Sequence, residues 1–165
     1  MGGCTLAAPR PLQALATDAA QDIEIVANAS EIDDRANLTI FTGQVIVTQG
    51  SIRITGDKMT VHYNERNDIE TLVMEGTPAS YRQLPDDSTV HDEASAMRME
   101  YLKSRNLIIL IDQARVEQAS GSLSGQRIEY DTALSRVRAT SAPASEAAGI
   151  KPGERVKIII PAQPQ

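Results

Sequence analysis

The sequence predicts an all-β protein, a long and narrow antiparallel body of roughly sixteen short strands. Three observations carry that prediction. Apolar and polar residues alternate along most of the chain, which is the period of a half-buried strand. Turn-forming residues interrupt the alternation at short intervals. Two sequence blocks also recur, with 33 residues from Gly43 to Gly76 and 36 from Gly76 to Asp112, a spacing expected of stacked supersecondary units.

The opening run Asp22-Ile23-Glu24-Ile25-Val26 is strongly β-forming. In "FTGQVIVTQGSIRITGDKMTVHY", Phe41 to Tyr63, the alternating residues are Val45 and Val47, then Ile52 and Ile54, then Met59, Val61 and Tyr63. The phase breaks at Gln49-Gly50-Ser51 and at Gly56-Asp57, so this segment predicts three short strands joined by tight turns. Further breaks fall at Asp33-Asp34, Glu65-Arg66-Asn67, Pro85-Asp86-Asp87, Ser104-Arg105-Asn106 and Asp131-Thr132. Gly56-x-x-Met59-x-Val61-x-Tyr63 returns as Ala94-x-x-Met97-x-Met99-x-Tyr101 and, shortened, as Gly125-x-x-Ile128-x-Tyr130. The block "TGQVIVTQ" (42–49) returns more weakly as "EGTPASYRQ" (75–83) and "IDQARVEQ" (111–118). Each unit holds about four short strands and cannot bury its own apolar face, so neighbours must stack. Two antiparallel walls facing one another result.

Composition narrows the function classes. A chain of 165 residues suits one domain with a sizeable core. Aromatics are 3 % and Trp is absent, so Ile, Val, Leu, Met and Ala must build that core, and base-stacking platforms are not expected. A net charge of −6 argues against nucleic acid as a partner, because that binding is driven by cationic side chains. No run approaches the roughly 18 to 20 apolar residues of a spanning helix.

Residues 1–20 differ from the rest, and Ala14-Leu15-Ala16 before Thr17-Asp18 fits a secretory cleavage site. Pro9-Arg10-Pro11 interrupts the apolar stretch, so the segment reads as an incomplete signal peptide or a tail, with the folded domain at 21–163. The lone cysteine, Cys4, lies in this leader, which leaves the body without a disulfide. Gly2-Gly3-Cys4 also resembles the end of a lipoprotein signal, without the apolar residues before it. Catalysis is not expected. His62 and His91 have no companion ligand, Asp33-Asp34 and Asp86-Asp87 occupy turns, and Ser120-Gly121-Ser122 lacks a nucleophile elbow. Gly50, Gly56 and Gly125 are read as turn glycines, with no helix after them to hold a phosphate. No metal or cofactor is implied.

"FTGQVIVTQGSIRITGDK", "GTPASYRQ", "ASAMRMEY", "SGQRIEYD" and "RVKIIIPAQ" resemble, in order, the successive blocks of the OstA family of periplasmic lipopolysaccharide-transport proteins. The resemblance spans Ile23 to Gln163, with the small-residue linker Ser141 to Gly149 outside its pattern. It implies an antiparallel β-jelly roll, open along one side, whose groove carries the acyl chains of lipid A. It implies periplasmic location and head-to-tail stacking. Its implied partners are lipopolysaccharide, the β-jelly roll anchor of an inner-membrane extraction complex, and the N-terminal domain of an outer-membrane translocon. A purely structural module of the same family, such as the soluble domain of that anchor or translocon, is the alternative reading.

If two walls face each other, Ile23, Ile25, Val47, Ile54, Met59, Val61, Tyr81, Met97, Met99, Tyr101 and Val116 point between them. Such rows fill any sandwich core. With the resemblance they become the lipid-binding candidates, Tyr81, Met97, Met99 and Tyr101 foremost, since Met adapts to irregular shapes and Tyr bridges an apolar body and a wet rim. Arg53, Lys58, Arg82, Arg98, Lys103, Arg127 and Arg138 mostly fall at the opposite parity and read as a solvated outer face. An unclosed stack leaves two sticky edges. Ile23 and Ile25 in the opening run, and Val156, Ile158 and Ile160 in the closing run before Pro161, are the expected oligomer edges.

Overall fold

Each alternating segment pairs with the next one in the chain, so the sheet is built almost as a meander. The computed structural model describes residues 18–86, 88–131, 134, 136–141 and 156–161. Its strands are β1 (Glu24–Val26), β2 (Ala29–Asp33), β3 (Leu38–Gln49), β4 (Ile52–Tyr63), β5 (Ile69–Gln83), β6 (Asp92–Leu102), β7 (Leu107–Gln118), β8 (Gly121–Asp131), β9 (Arg136–Thr140) and β10 (Lys157–Ile159). All pairings are antiparallel, in the order β1-β3-β4-β5-β6-β7-β8-β10, with β2 also on β3 and β9 also on β8. Among the described residues no pairing joins the first edge to the last. The sheet is open.

A line of irregularities crosses the long strands. Register shifts fall between Thr42 and Val45 on β3, Thr55 and Lys58 on β4, Glu75 and Ala79 on β5, Ser95 and Arg98 on β6, and Ile111 and Ala114 on β7. Gly43, Gln44, Asp112 and Gln113 there have positive φ, the backbone that a bulge inserts and that bends a strand. The bulges lie beside one another and crease the whole sheet into two wings. Small residues fill the inside of the crease, with Val45, Ala79 and Ala96 at 0 % exposure and Ala114 at 1 %. A Cβ on Gly76 would lie 2.6 Å from the Ala79 nitrogen, so the crease admits no side chain at that point. Residues from both wings then form one apolar cluster, including Met59, Met74, Met99, Leu110 and Ile128 from one and Ala94 from the other.

The all-β, antiparallel expectation is met, but among the described residues the strands number ten where about sixteen short ones were expected, and six of them are long. Gly56-Asp57 and Gly125 are not turns. Both lie inside strands, at the crease, where a change of phase in the hydrophobic pattern marks a bulge that the strand passes through. Gly50 does occupy a hairpin turn. Asp33 also serves its turn, its Oδ1 accepting from the Arg35 and Ala36 amides, both at 3.0 Å. The described body begins before the expected boundary at residue 21. Asp18–Ala20 form a 3-10 turn, and Asp18, 2 % exposed, accepts from the Ser51 amide at 2.7 Å and its hydroxyl at 2.6 Å. The expected cleavage site, Cys4 and most of the linker from Ser141 lie outside the described residues.

Candidate functional site

Because side chains alternate between faces, cross-strand pairing turns the inward residues into continuous rows. In the first wing one row runs Phe41-Met59-Met74-Met99-Leu110-Ile128-Ala139. Three methionines stand side by side in it. The next row outward runs Thr39-Val61-Leu72-Tyr101-Ile108-Tyr130-Val137. In the second wing a row crosses the sheet from edge to edge: Ile25-Val47-Ile54-Tyr81-Ala94-Val116-Leu123-Ile158.

Those rows bring most of the sequence-predicted residues together. Ile25, Val47, Ile54, Tyr81 and Val116 share the edge-to-edge row, Met59 and Met99 the methionine row, and Val61 and Tyr101 the row beyond it. Two predicted inward residues fall elsewhere. Met97 sits in the β6 irregularity, half-buried and outside the apolar cluster, because the crease shifts the parity that connected it to Met99. Ile23 precedes β1 and is 59 % exposed at the edge. Phe41, Leu72, Met74, Ile108, Leu110, Ile128 and Tyr130 were missed. In "LIILI" of β7 and "TLVM" of β5 the apolar residues are consecutive, so no alternation tells which ones point in, whereas for Ile128 and Tyr130 the signal was the repeat Gly125-x-x-Ile128-x-Tyr130, which aligns them with Met59 and Val61.

Two residues further along, the inward positions on β3, β5, β6 and β7 are polar, Gln49, Gln83, Asp92 and Gln118, with Ile52 of β4 beside Gln49 and Gly121 of β8 beside Gln118. Gln83 is fully buried and Asp92 6 % exposed. The Tyr81 hydroxyl donates to Gln83 Oε1, and Gln118 Nε2 donates to Asp92 Oδ2 at 2.9 Å. Gln49 Nε2 donates to the Gln21 carbonyl at 3.1 Å. Gln83 Nε2 has no partner among the described residues. Burial pushes the Asp92 carboxyl above its ordinary range, an effect the Gln118 hydrogen bond partly offsets. Burial, and then the nearby Asp92 and Asp18 carboxylates, push the Tyr81 phenol up, so it remains a neutral donor.

The outer face is charged. Arg98 pairs with Glu75 at 2.9 Å and with Glu100 at 2.5 Å, Arg127 with Glu129 at 2.7 Å, and Arg115 with Glu117. Arg53, Lys58, Arg82, Lys103 and Arg138 are exposed. A shallow outer depression of about 370 Å³ is lined by Arg53, Arg82, Glu93, Arg115 and Glu117, with both signs of charge present. At the sheet edges, by contrast, large apolar side chains meet solvent. Ile23, Ile25 and Val26 do so at one end and Val156, Ile158, Ile159 and Ile160 at the other, the last being 72 % exposed.

The described residues form an open antiparallel β-sheet protein, creased across its long strands, with an apolar interior and apolar side chains exposed at its edges. Residues 24–135 match the family described as LptA/(LptD N-terminal domain) LPS transport protein. The chain is 34 % identical over 147 residues to the lipopolysaccharide export system protein LptH of Pseudomonas aeruginosa, covering 89 % of this chain and 83 % of that one. It is 32 % identical to the lipopolysaccharide export system protein LptA of Escherichia coli K12, covering 76 % and 68 %. The crystal structure of Pseudomonas aeruginosa LptH, an LptA-homologous periplasmic component of the lipopolysaccharide transport device, superposes with a TM-score of 0.73 at 31 % identity over 88 % of this chain and 99 % of that one. The chain belongs to the LptA/LptD N-terminal domain family of lipopolysaccharide-transport proteins.

Proposed function

We propose that this protein carries lipopolysaccharide through the periplasm, with the acyl chains of lipid A held between the two wings against the inward rows. The observation that carries this reading is the uninterrupted apolar row from Ile25 to Ile158, which reaches both open edges of the sheet. A long hydrocarbon chain gains about 25 cal/mol for each Å² it buries, and a row without a polar break lets it slide without a barrier along the way. Tyr81, Met99 and Tyr101 are the central contacts. The bare edges at β1 and β10 support strand addition, so copies stack head to tail and the interior continues from one to the next. The same edges would join the β-jelly roll anchor of the inner-membrane complex at one end and the N-terminal domain of the outer-membrane translocon at the other. The alternative is a purely structural module of the same family, such as the soluble domain of that anchor or translocon; the 34 % identity to the export system protein LptH over 89 % of this chain favours the carrier reading.

A photo-crosslinking residue placed at Tyr81, Met99 or Tyr101 should capture lipopolysaccharide, and one at outward Glu100 should not. Equal capture on the two faces would remove the interior as the binding site.

A further inference from the structure

The polar row at the tip of the second wing is encoded by the repeat. Gln49, Gln83 and Gln118 end the three recurring blocks 42–49, 75–83 and 111–118, and all three point inward just beyond the edge-to-edge apolar row. An apolar side chain there would extend the interior at no desolvation cost, whereas a buried amide left without a partner is costly. Gln83 is at 0 % exposure with one amide atom unpartnered, and turning the amide over leaves its oxygen in that same unpartnered place.

We infer that Tyr81, Gln83, Asp92 and Gln118 form a hydrogen-bonding ledge for the neutral linkage groups of an acylated amphiphile, the ester or amide carbonyls and hydroxyls where its chains meet the headgroup. This rests on the acyl-binding reading above. The amide of Gln83 offers the donor, and its neighbour Asp92 makes the ledge unsuitable for a phosphate. The apolar row therefore takes the hydrocarbon and the ledge fixes how deep it sits.

The test compares two lysophosphatidylcholines of equal chain length below their micelle concentrations, one with an ester-linked chain and one with an ether-linked chain, by titration calorimetry. The wild-type protein should bind the ester about three- to tenfold more tightly, the worth of one hydrogen bond to a buried donor. Gln83→Leu should bind both alike, at the ether's affinity or better. Equal binding by the wild type, or a preference that survives in Gln83→Leu, overturns the ledge while leaving acyl binding in place. Binding of neither probe overturns the acyl reading and the ledge with it. Should Gln83→Leu fail to fold by circular dichroism, the infrared band of a ¹³C-labelled ester carbonyl bound to the wild type decides. A shift to lower frequency supports the ledge, and an unshifted band overturns it.

Discussion

Asp92 places a carboxylate at the rim of an apolar interior, with one hydrogen bond from Gln118 to offset its lost hydration. Its folded pKa lies above the ordinary value of 3.8, so the ionised form is disfavoured by folding. The sign follows: the protein is relatively more stable when Asp92 is protonated, and the penalty grows as pH rises from 3.8 through the raised folded value. Asp92→Asn keeps an acceptor for Gln118 and removes the charge. It should stabilise the fold at neutral pH by up to about 1 kcal/mol, and that gain should vanish on acidification toward pH 3.8 in urea titrations run as a pH series. At this scale the sequence was legible where apolar and polar residues alternate, as at Val47, Ile54, Met59 and Val61. It was not legible at Gln83 and Asp92, since both are polar residue types at strand ends and no local pattern encodes their burial.

The element scale is governed by the crease. Strand existence was readable from the period-two pattern, and the hairpin turn at Gly50 from its residue types. The count was not readable, because a glycine in a bulge and a glycine in a turn break the hydrophobic phase in the same way. Gly56 and Gly125 therefore looked like strand ends, and Met97 was assigned a face across a bulge that changes it. The crease also makes a sharp prediction. A side chain at position 76 meets backbone within 2.6 Å, so Gly76→Val should cost about 1–3 kcal/mol by overpacking, read as a lower midpoint in chemical denaturation. The edges give another. In β10, Ile158 faces Leu123 of β8 and is 66 % exposed. Ile158→Pro should shift a concentration-dependent oligomer toward monomer in light scattering without changing the circular dichroism spectrum. An unchanged oligomer would move the junction elsewhere.

At the scale of the whole molecule, the strands from β3 to β8 pair strictly in chain order. Contacts are thus local in sequence for an all-β fold, and the chain can zip up hairpin by hairpin without first closing long loops. Each strand depends on its immediate neighbours, as the units of a repeat protein do, so stability accumulates along one dimension. β8 receives β7 on one side, and on the other β10 covers only Ser122 to Ser124 of its second-wing half. In the proposed head-to-tail stacking, a strand offered there by a second chain would meet the template that every earlier strand met during folding, and assembly would be folding continued with someone else's polypeptide.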